Sequence, residues 1–305
     1  MKKQKSLGGR TLVRQLPLYM MLLPGTLFLI LFNYLPMLGT VLAFKSYNYS
    51  KGILYSDFVG FKNFEVFFRT PDAWIITRNT VGYNVIFIIL NLVINVLAAI
   101  LLSEMLSKRL SKIYQTVILM PHFLSWVIVA YLVYAFLSSD YGILNKIITS
   151  MGGQSVAWYS ETKAWPYIIV FINRWKTTGY GSIVYLAAIS GINSEYYEAA
   201  VIDGANKTKQ IFYITIPCLK PIITIMTILA IGGIFNSDFG LFYQVPMNSG
   251  ALYSVTNTLN TYVYNARGDV GISAAAGLYQ GVVGFILVVI SNKIVSKLDP
   301  ENALY

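Results

Sequence analysis

The sequence predicts an all-α, polytopic membrane protein with six transmembrane helices. Two observations predict it. Of the 305 residues, 56% are hydrophobic and 12% charged, about half the charged share of an ordinary soluble domain. Six segments also supply the roughly 20 mainly apolar residues that a bilayer crossing needs: 16–44, 79–105, 115–138, 165–190, 219–238 and 271–292. A net charge of +10 would admit a nucleic-acid partner, but a soluble basic binder is not this apolar. In a membrane protein the excess cation belongs on the cytoplasmic side.

The first segment follows Lys2, Lys3, Lys5, Arg10 and Arg14, a start that resembles a secretory signal. Its apolar stretch runs from Leu16 to Phe44, beyond the roughly 7–15 residues of a signal's apolar region. It is therefore read as a retained span behind a cytoplasmic basic N-terminus, residues 1–15, and Pro24, Gly25 and Pro36 predict a kink in it. The second and third spans are near-continuous apolar runs. The fourth carries Asn173, Arg174, Trp175 and Lys176 about 12 Å from its start at 1.5 Å per residue. The fifth is the shortest and ends in Asn236-Ser237-Asp238, and the sixth returns the chain.

With both termini inside, cytoplasmic segments hold 13 of the 23 Lys and Arg, external loops 8 and the fourth span 2, which favours that orientation. The first external loop, with Lys45, Lys51, Lys62, Arg69 and Arg78, weakens the bias without reversing it. The external loops, about 25–35 residues each, are too short for a domain of typical size. Residues 1–305 therefore read as one membrane domain. A single cysteine, Cys218, excludes an internal disulfide, and with His122 as the one histidine there is no His/Cys cluster for zinc. Carboxylates are nearly absent from the spans, which argues against an intramembrane enzyme. No catalytic residue and no metal site are expected.

The most informative segment is the cytoplasmic loop 191–218. It contains Glu198-Ala199-Ala200, three residues, Gly204, nine residues, and then Ile214-Thr215-Ile216-Pro217. A charged island of this kind cannot face lipid. Asn193 and Ser194 suit an N-cap, Glu195 a first helical turn, and Gly204 a turn. Lys207–Ile216 can form a second short helix that Pro217 breaks on re-entering the membrane. A solvated acidic loop would look similar in composition.

The spacing resembles the EAA loop of the transmembrane permease subunits of ATP-binding-cassette (ABC) importers, with Ile216 where leucine is usual. The resemblance implies a type I ABC importer permease fold with a core permease region at 80–292. It implies that Glu198, Ala199, Ala200, Asp203 and Gly204 contact a cytoplasmic ATPase. Gly204-Ala205-Asn206-Lys207-Thr208 is superficially similar to a phosphate-binding loop, but Asn206 stands where glycine should precede the lysine and no apolar strand leads in. The chain is thus expected to bind no cofactor, ATP and Mg being used by the partner ATPase.

Further segments are similar to maltose-type carbohydrate uptake permeases: Pro121-His122-Phe123-Leu124-Ser125-Trp126, residues 140–145, Ala157-Trp158-Tyr159-Ser160, Asn173-Arg174-Trp175 with Leu186-Ala187-Ala188, and residues 235–239. This implies binding-protein-dependent uptake of an oligosaccharide across a bacterial plasma membrane. The implied partners are a second homologous permease in a heterodimer, two copies of the ATPase and an extracellular lipoprotein that binds the sugar, with membrane lipid around the spans and no nucleic acid. Hydrogen-bonding and aromatic groups near the spans suit a sugar pathway. The candidates are Asn173, Arg174, Trp175, Asn236, Ser237, Asp238, Phe239, Tyr243 and Tyr134, with Asn236 the preferred contact. Arg174 and Lys176 either line the pathway or snorkel to the outer interface. A non-carbohydrate importer and an ATP-independent channel are the alternative readings.

Overall fold

The structure, a computed structural model, describes residues 8–298. Residues 1–7 of the predicted basic N-terminus lie outside the described residues. Among those described, only Lys45–Ser46 and Asp57–Phe58 form strands, a two-residue antiparallel pair in the first external loop. Everything else regular is helix, as the apolar periodicity predicts.

Four helices are long and apolar enough to cross a membrane: Gln15–Phe44, Pro71–Ser103, Lys207–Gly232 and Val270–Lys297. A bent pair, Lys108–Phe123 and Trp126–Leu137, makes a fifth if counted as one span. The predicted fourth span is formed as a 26-residue helix, Trp165–Ser190. Its polar middle sets it apart, and it packs lengthwise against the second span inside the bundle. Gly179 makes its close crossing of the third span possible, because a Cβ there would collide with the backbone of Ile118 and Leu119.

The predicted third span, 115–138, is corrected. It is two helices meeting at 97°. Pro121 cannot donate to the preceding turn, and Ser125 caps a new helix by accepting from the Ile128 amide at 3.3 Å. Lys176 of the fourth span fills the gap, its ammonium donating to the carbonyls of Pro121 (3.3 Å), His122 (2.9 Å) and Leu124. A lysine at a helix C-terminus satisfies the orphaned carbonyls and meets the negative end of the dipole.

Pro217 is corrected in the opposite sense. The helix runs on from Lys207 to Gly232, passing through a π turn at Ile211–Thr215. The carbonyl that the Pro217 ring would crowd, four residues earlier, lies inside that wider turn, which relieves the clash. Pro36 is handled in the same way by a π turn at Ile30–Tyr34.

The fifth span stops at Gly232, not at 238. The chain then peels away because carboxamides take over its backbone bonds. Asn84 donates to the carbonyls of Ile234 (2.9 Å) and Asn236 (3.3 Å), and Asn260 accepts from the Ser237 amide. Irregular backbone at this depth is tolerable only when it is satisfied inside the protein.

Two apolar clusters hold the assembly. One joins Tyr83, Phe87, Val129, Val133, Trp165, Ile169 and Leu241 from the second, third and fourth spans and the segment after the fifth. The other joins Phe67, Ile76, Phe235, Leu259 and Ala276 near the external loops and sixth span. The first span stands apart, exposed along almost its whole described length until its last turns meet the sixth.

Candidate functional site: a polar cavity and a capped surface helix

The 191–218 loop folds as a helix, Ser194–Ile202, closed at both ends. Asn193 caps it by accepting from the Glu195 amide at 3.1 Å. At the other end Gly204 lies at φ +77°, with Ala205 N–H on the Ala200 carbonyl (2.8 Å) and Gly204 N–H on the Val201 carbonyl (3.0 Å). These two bonds make a Schellman cap, whose left-handed residue favours glycine. Asn206 then caps the following helix through the Lys209 amide at 2.9 Å.

One side-chain contact fastens this helix to the membrane domain, and a second braces the helix that follows it. The Tyr197 hydroxyl meets Thr215 Oγ1 at 2.9 Å, tying it to the base of the fifth span. Lys207 pairs with Glu104 at 2.9 Å, tying the loop to the end of the second. The opposite side is open: Glu198, Ala199, Asp203 and Gly204 are exposed, Ala200 is half-buried, and Val201 and Ile202 are 62% and 86% exposed. Two large apolar side chains between two carboxylates form a surface that a protein partner can cover.

Deeper in the bundle, a cavity of about 260 Å3 opens where the second, fourth and fifth spans meet. It brings together four predicted residues, Asn173, Arg174, Asn236 and Asp238, with Asn84, Asn91, Thr177 and Phe87, which the sequence reading passed over. Arg174 is 8% exposed, so it does not snorkel. Its two terminal nitrogens donate to Asn91 Oδ1 and Asn173 Oδ1, and its guanidinium carbon stands 5.7 Å from the centre of the Phe87 ring. Lys176, equally buried, is turned to the third-span bend, its ammonium 5.1 Å from the centre of the Trp126 ring. Trp126 Nε1 donates to Asp238 Oδ2 at 2.9 Å, and Asp238 Oδ1 accepts from the Leu241 amide. The bend thus delivers an indole to the carboxylate at the cavity.

Asn236 also lines a second cavity of about 370 Å3 against the sixth span, with Gln280. Asn260 bridges the two, donating to Asn236 Oδ1 and accepting from Gln280, both at 2.9 Å. The other candidates lie elsewhere. Ser237 is buried on Thr258 at 2.7 Å. Phe239 and Tyr243 stack at 4.7 Å in a cluster with Tyr264. Tyr134 packs on Tyr159. Trp175 faces away, lining an apolar groove of about 660 Å3 with Tyr167 and Phe171. The signal for the missed residues is in the second span: Asn84, Asn91 and Asn95 interrupt an apolar run at intervals of seven and four, which places them on one helical face.

Several known proteins share this architecture. Protein LplB of Bacillus subtilis (strain 168) is 36% identical over 93% of this chain and 90% of its own length. The polygalacturonan/rhamnogalacturonan transport system permease protein YteP of the same organism is 34% identical over 95% and 91%. A chain in the crystal structure of a bacterial alginate ABC transporter in complex with an alginate pentasaccharide-bound periplasmic protein superposes with a TM-score of 0.87, at 30% identity over 98% of this chain and 100% of that one. Residues 94–299 match the family of binding-protein-dependent transport system inner membrane components. The chain belongs to that family of membrane-embedded ABC importer permeases.

Proposed function

We propose that this chain is one of two membrane subunits of an ATP-driven importer that takes up an oligosaccharide across a bacterial plasma membrane. The observation that carries the reading is a linkage within one chain. The capped surface helix is fastened through Tyr197 to the fifth span, whose first residue, Lys207, pairs with Glu104 at the end of the second, and those spans supply Ala230, Asn84 and Asn91 to the polar cavity. A displacement of the helix therefore moves two walls of the cavity.

In this reading Glu198, Ala199, Ala200, Asp203 and Gly204, with Val201 and Ile202, seat in a cytoplasmic ATPase. Two copies of the ATPase use ATP and Mg, and this chain binds neither. Both termini are cytoplasmic, a homologous but different permease completes a heterodimer, and an extracellular lipoprotein delivers the sugar. Asn173, Arg174, Asn236 and Asp238, joined by Asn84, Asn91 and Thr177, receive sugar hydroxyls, and Phe239 and Tyr243 with Tyr264 supply aromatic surface nearby. Carboxamides suit this work because each offers both a donor and an acceptor. The carbohydrate assignment draws on the polysaccharide relatives and on the pentasaccharide-bound neighbour.

ATP-driven alternation of inward and outward forms would then move sugar one way. Proteoliposomes holding all subunits and the binding protein should accumulate labelled oligosaccharide only with ATP, and Glu198→Lys should cut accumulation by roughly tenfold or more through loss of the ATPase seat. Flux without nucleotide would turn the reading to a channel. Unimpaired uptake by the Glu198→Lys complex would remove the coupling assignment.

A further inference from the structure

We infer that the polar cavity selects a sugar bearing a carboxylate, with Arg174 as the residue that reads it. The inference rests on the oligosaccharide-import reading and narrows its substrate to acidic, uronate-type units.

Arg174 is a guanidinium more than nine-tenths buried in the bundle. Burying a charge is costly unless it is paired, and no described residue forms an ion pair with it. Among the described residues the ion pairs are Lys51–Asp57, Arg69–Glu65 and Lys207–Glu104, all remote from the cavity. Asp238 lines the same cavity but forms no ion pair with Arg174, its oxygens accepting from the Trp126 indole and the Leu241 amide. Lys176, a second buried cation, stands over the Trp126 ring that bonds Asp238, its own hydrogens on three carbonyls of the bend. Among the described residues Arg174 is the one cation lining this cavity, and a single carboxylate set against two buried cations leaves one positive charge over.

Its hydrogen bonds show how it is held. Asn91 and Asn173 each take one terminal nitrogen, which locks the guanidinium plane, while Nε is buried with no partner. Arg174 lines the cavity, and each terminal nitrogen keeps a second hydrogen beyond the one given to its asparagine, so a carboxylate there can take charge-assisted bonds. A neutral hydroxyl can accept such a bond but leaves the buried charge unbalanced. A carboxylate does both, and the carboxamides of Asn84 and Asn236 stand in the same cavity for the ring hydroxyls.

The test uses the assembled transporter in nanodiscs without its binding protein, so that selection by that protein does not enter. Affinity is measured by calorimetry for trigalacturonate and for its neutral counterpart, trigalactose. The wild-type complex should prefer the acidic sugar by about tenfold or more, and the preference should persist as salt rises, because buried charges are screened little. Arg174→Gln should bring the two sugars to within about twofold of each other, and Arg174→Lys should retain an intermediate preference, keeping the charge without the planar guanidinium. Equal wild-type affinities, or a preference untouched by Arg174→Gln, would overturn the inference. The wild-type ratio needs no variant to fold. If the neutral sugar alone is taken up with ATP in proteoliposomes, the carboxylate assignment fails while import stands. ATP-driven uptake of neither sugar removes both.

Discussion

Pro121 and Pro217 both fall within long apolar helical segments, yet one lies at a 97° bend and the other in a continuous helix. The difference lies in what happens to the backbone around each. At Pro121 the freed carbonyls find a cation, Lys176, and the next helix finds a cap, Ser125. At Pro217 the lost bond is absorbed by a π turn, and no side chain caps the break. A proline therefore removes a bond without deciding the outcome. The donors around it decide whether the chain turns or runs on. The two outcomes also place different side chains: the continuous helix joins the capped surface loop to the bundle, and the bend brings Trp126 onto Asp238 at the cavity.

The comparison breaks most severely at Lys176. Lys176→Met strands the His122 and Leu124 carbonyls at the bend, Pro121 keeping the Leu124 amide, and about 2–6 kcal/mol of stability should be lost at 1–3 kcal/mol for each unsatisfied group. A thermal melt of the detergent-solubilised complex would register this as a large fall in Tm. An unchanged melt would mean that the bend holds itself.

On the side of the continuous helix, Gly204→Val places a β-branched residue at φ +77°, at a cost of about 1–3 kcal/mol. Uptake and ATPase assembly should fall together in pull-down and transport assays, while the membrane core melts nearly as before. Wild-type assembly with this variant would show that the Schellman cap does not set the docking surface.

Trp126→Phe keeps the ring over Lys176 but removes the bond to Asp238, worth about 1.5–3 kcal/mol for a charged acceptor. Substrate affinity should weaken several-fold at most, with the Tm shifted only slightly. A loss of stability as large as that of Lys176→Met would move the indole from the cavity's side of the argument to the bend's. The smallest effect is expected from Pro217→Ala. With a π turn already in place, its consequence should stay within about 1 kcal/mol in either direction, read as a Tm close to wild type. A large change would show that the proline, and not the loop's own packing, holds the helix continuous.

Much of this molecule was legible in its residues. The apolar runs announced the spans because lipid admits little else, and Asn193 and Gly204 marked the ends of the first surface helix through their own capping chemistry. The cavity was half legible. Asn173, Arg174, Asn236 and Asp238 stood out as polar groups beside apolar ones, whereas Asn84 and Asn91 passed as isolated carboxamides in a long helix. Trp175 and Arg174 are adjacent in the chain and face opposite ways, because successive helical residues are about 100° apart.

From the sequence alone came whatever depends on local chemistry: helical class, apolar lengths, caps, turns and the charged island between the fourth and fifth spans. Only the tertiary structure decided which proline bends its helix, where the fifth span ends, and that Arg174 stands buried without an ion-pair partner. Each of those outcomes turns on donors or acceptors supplied by residues distant in the chain: Lys176 for Pro121, Asn84 for Ile234, and Asn91 for Arg174. Sequence periodicity carries no record of such encounters, since it describes one helix at a time and not what another brings against it.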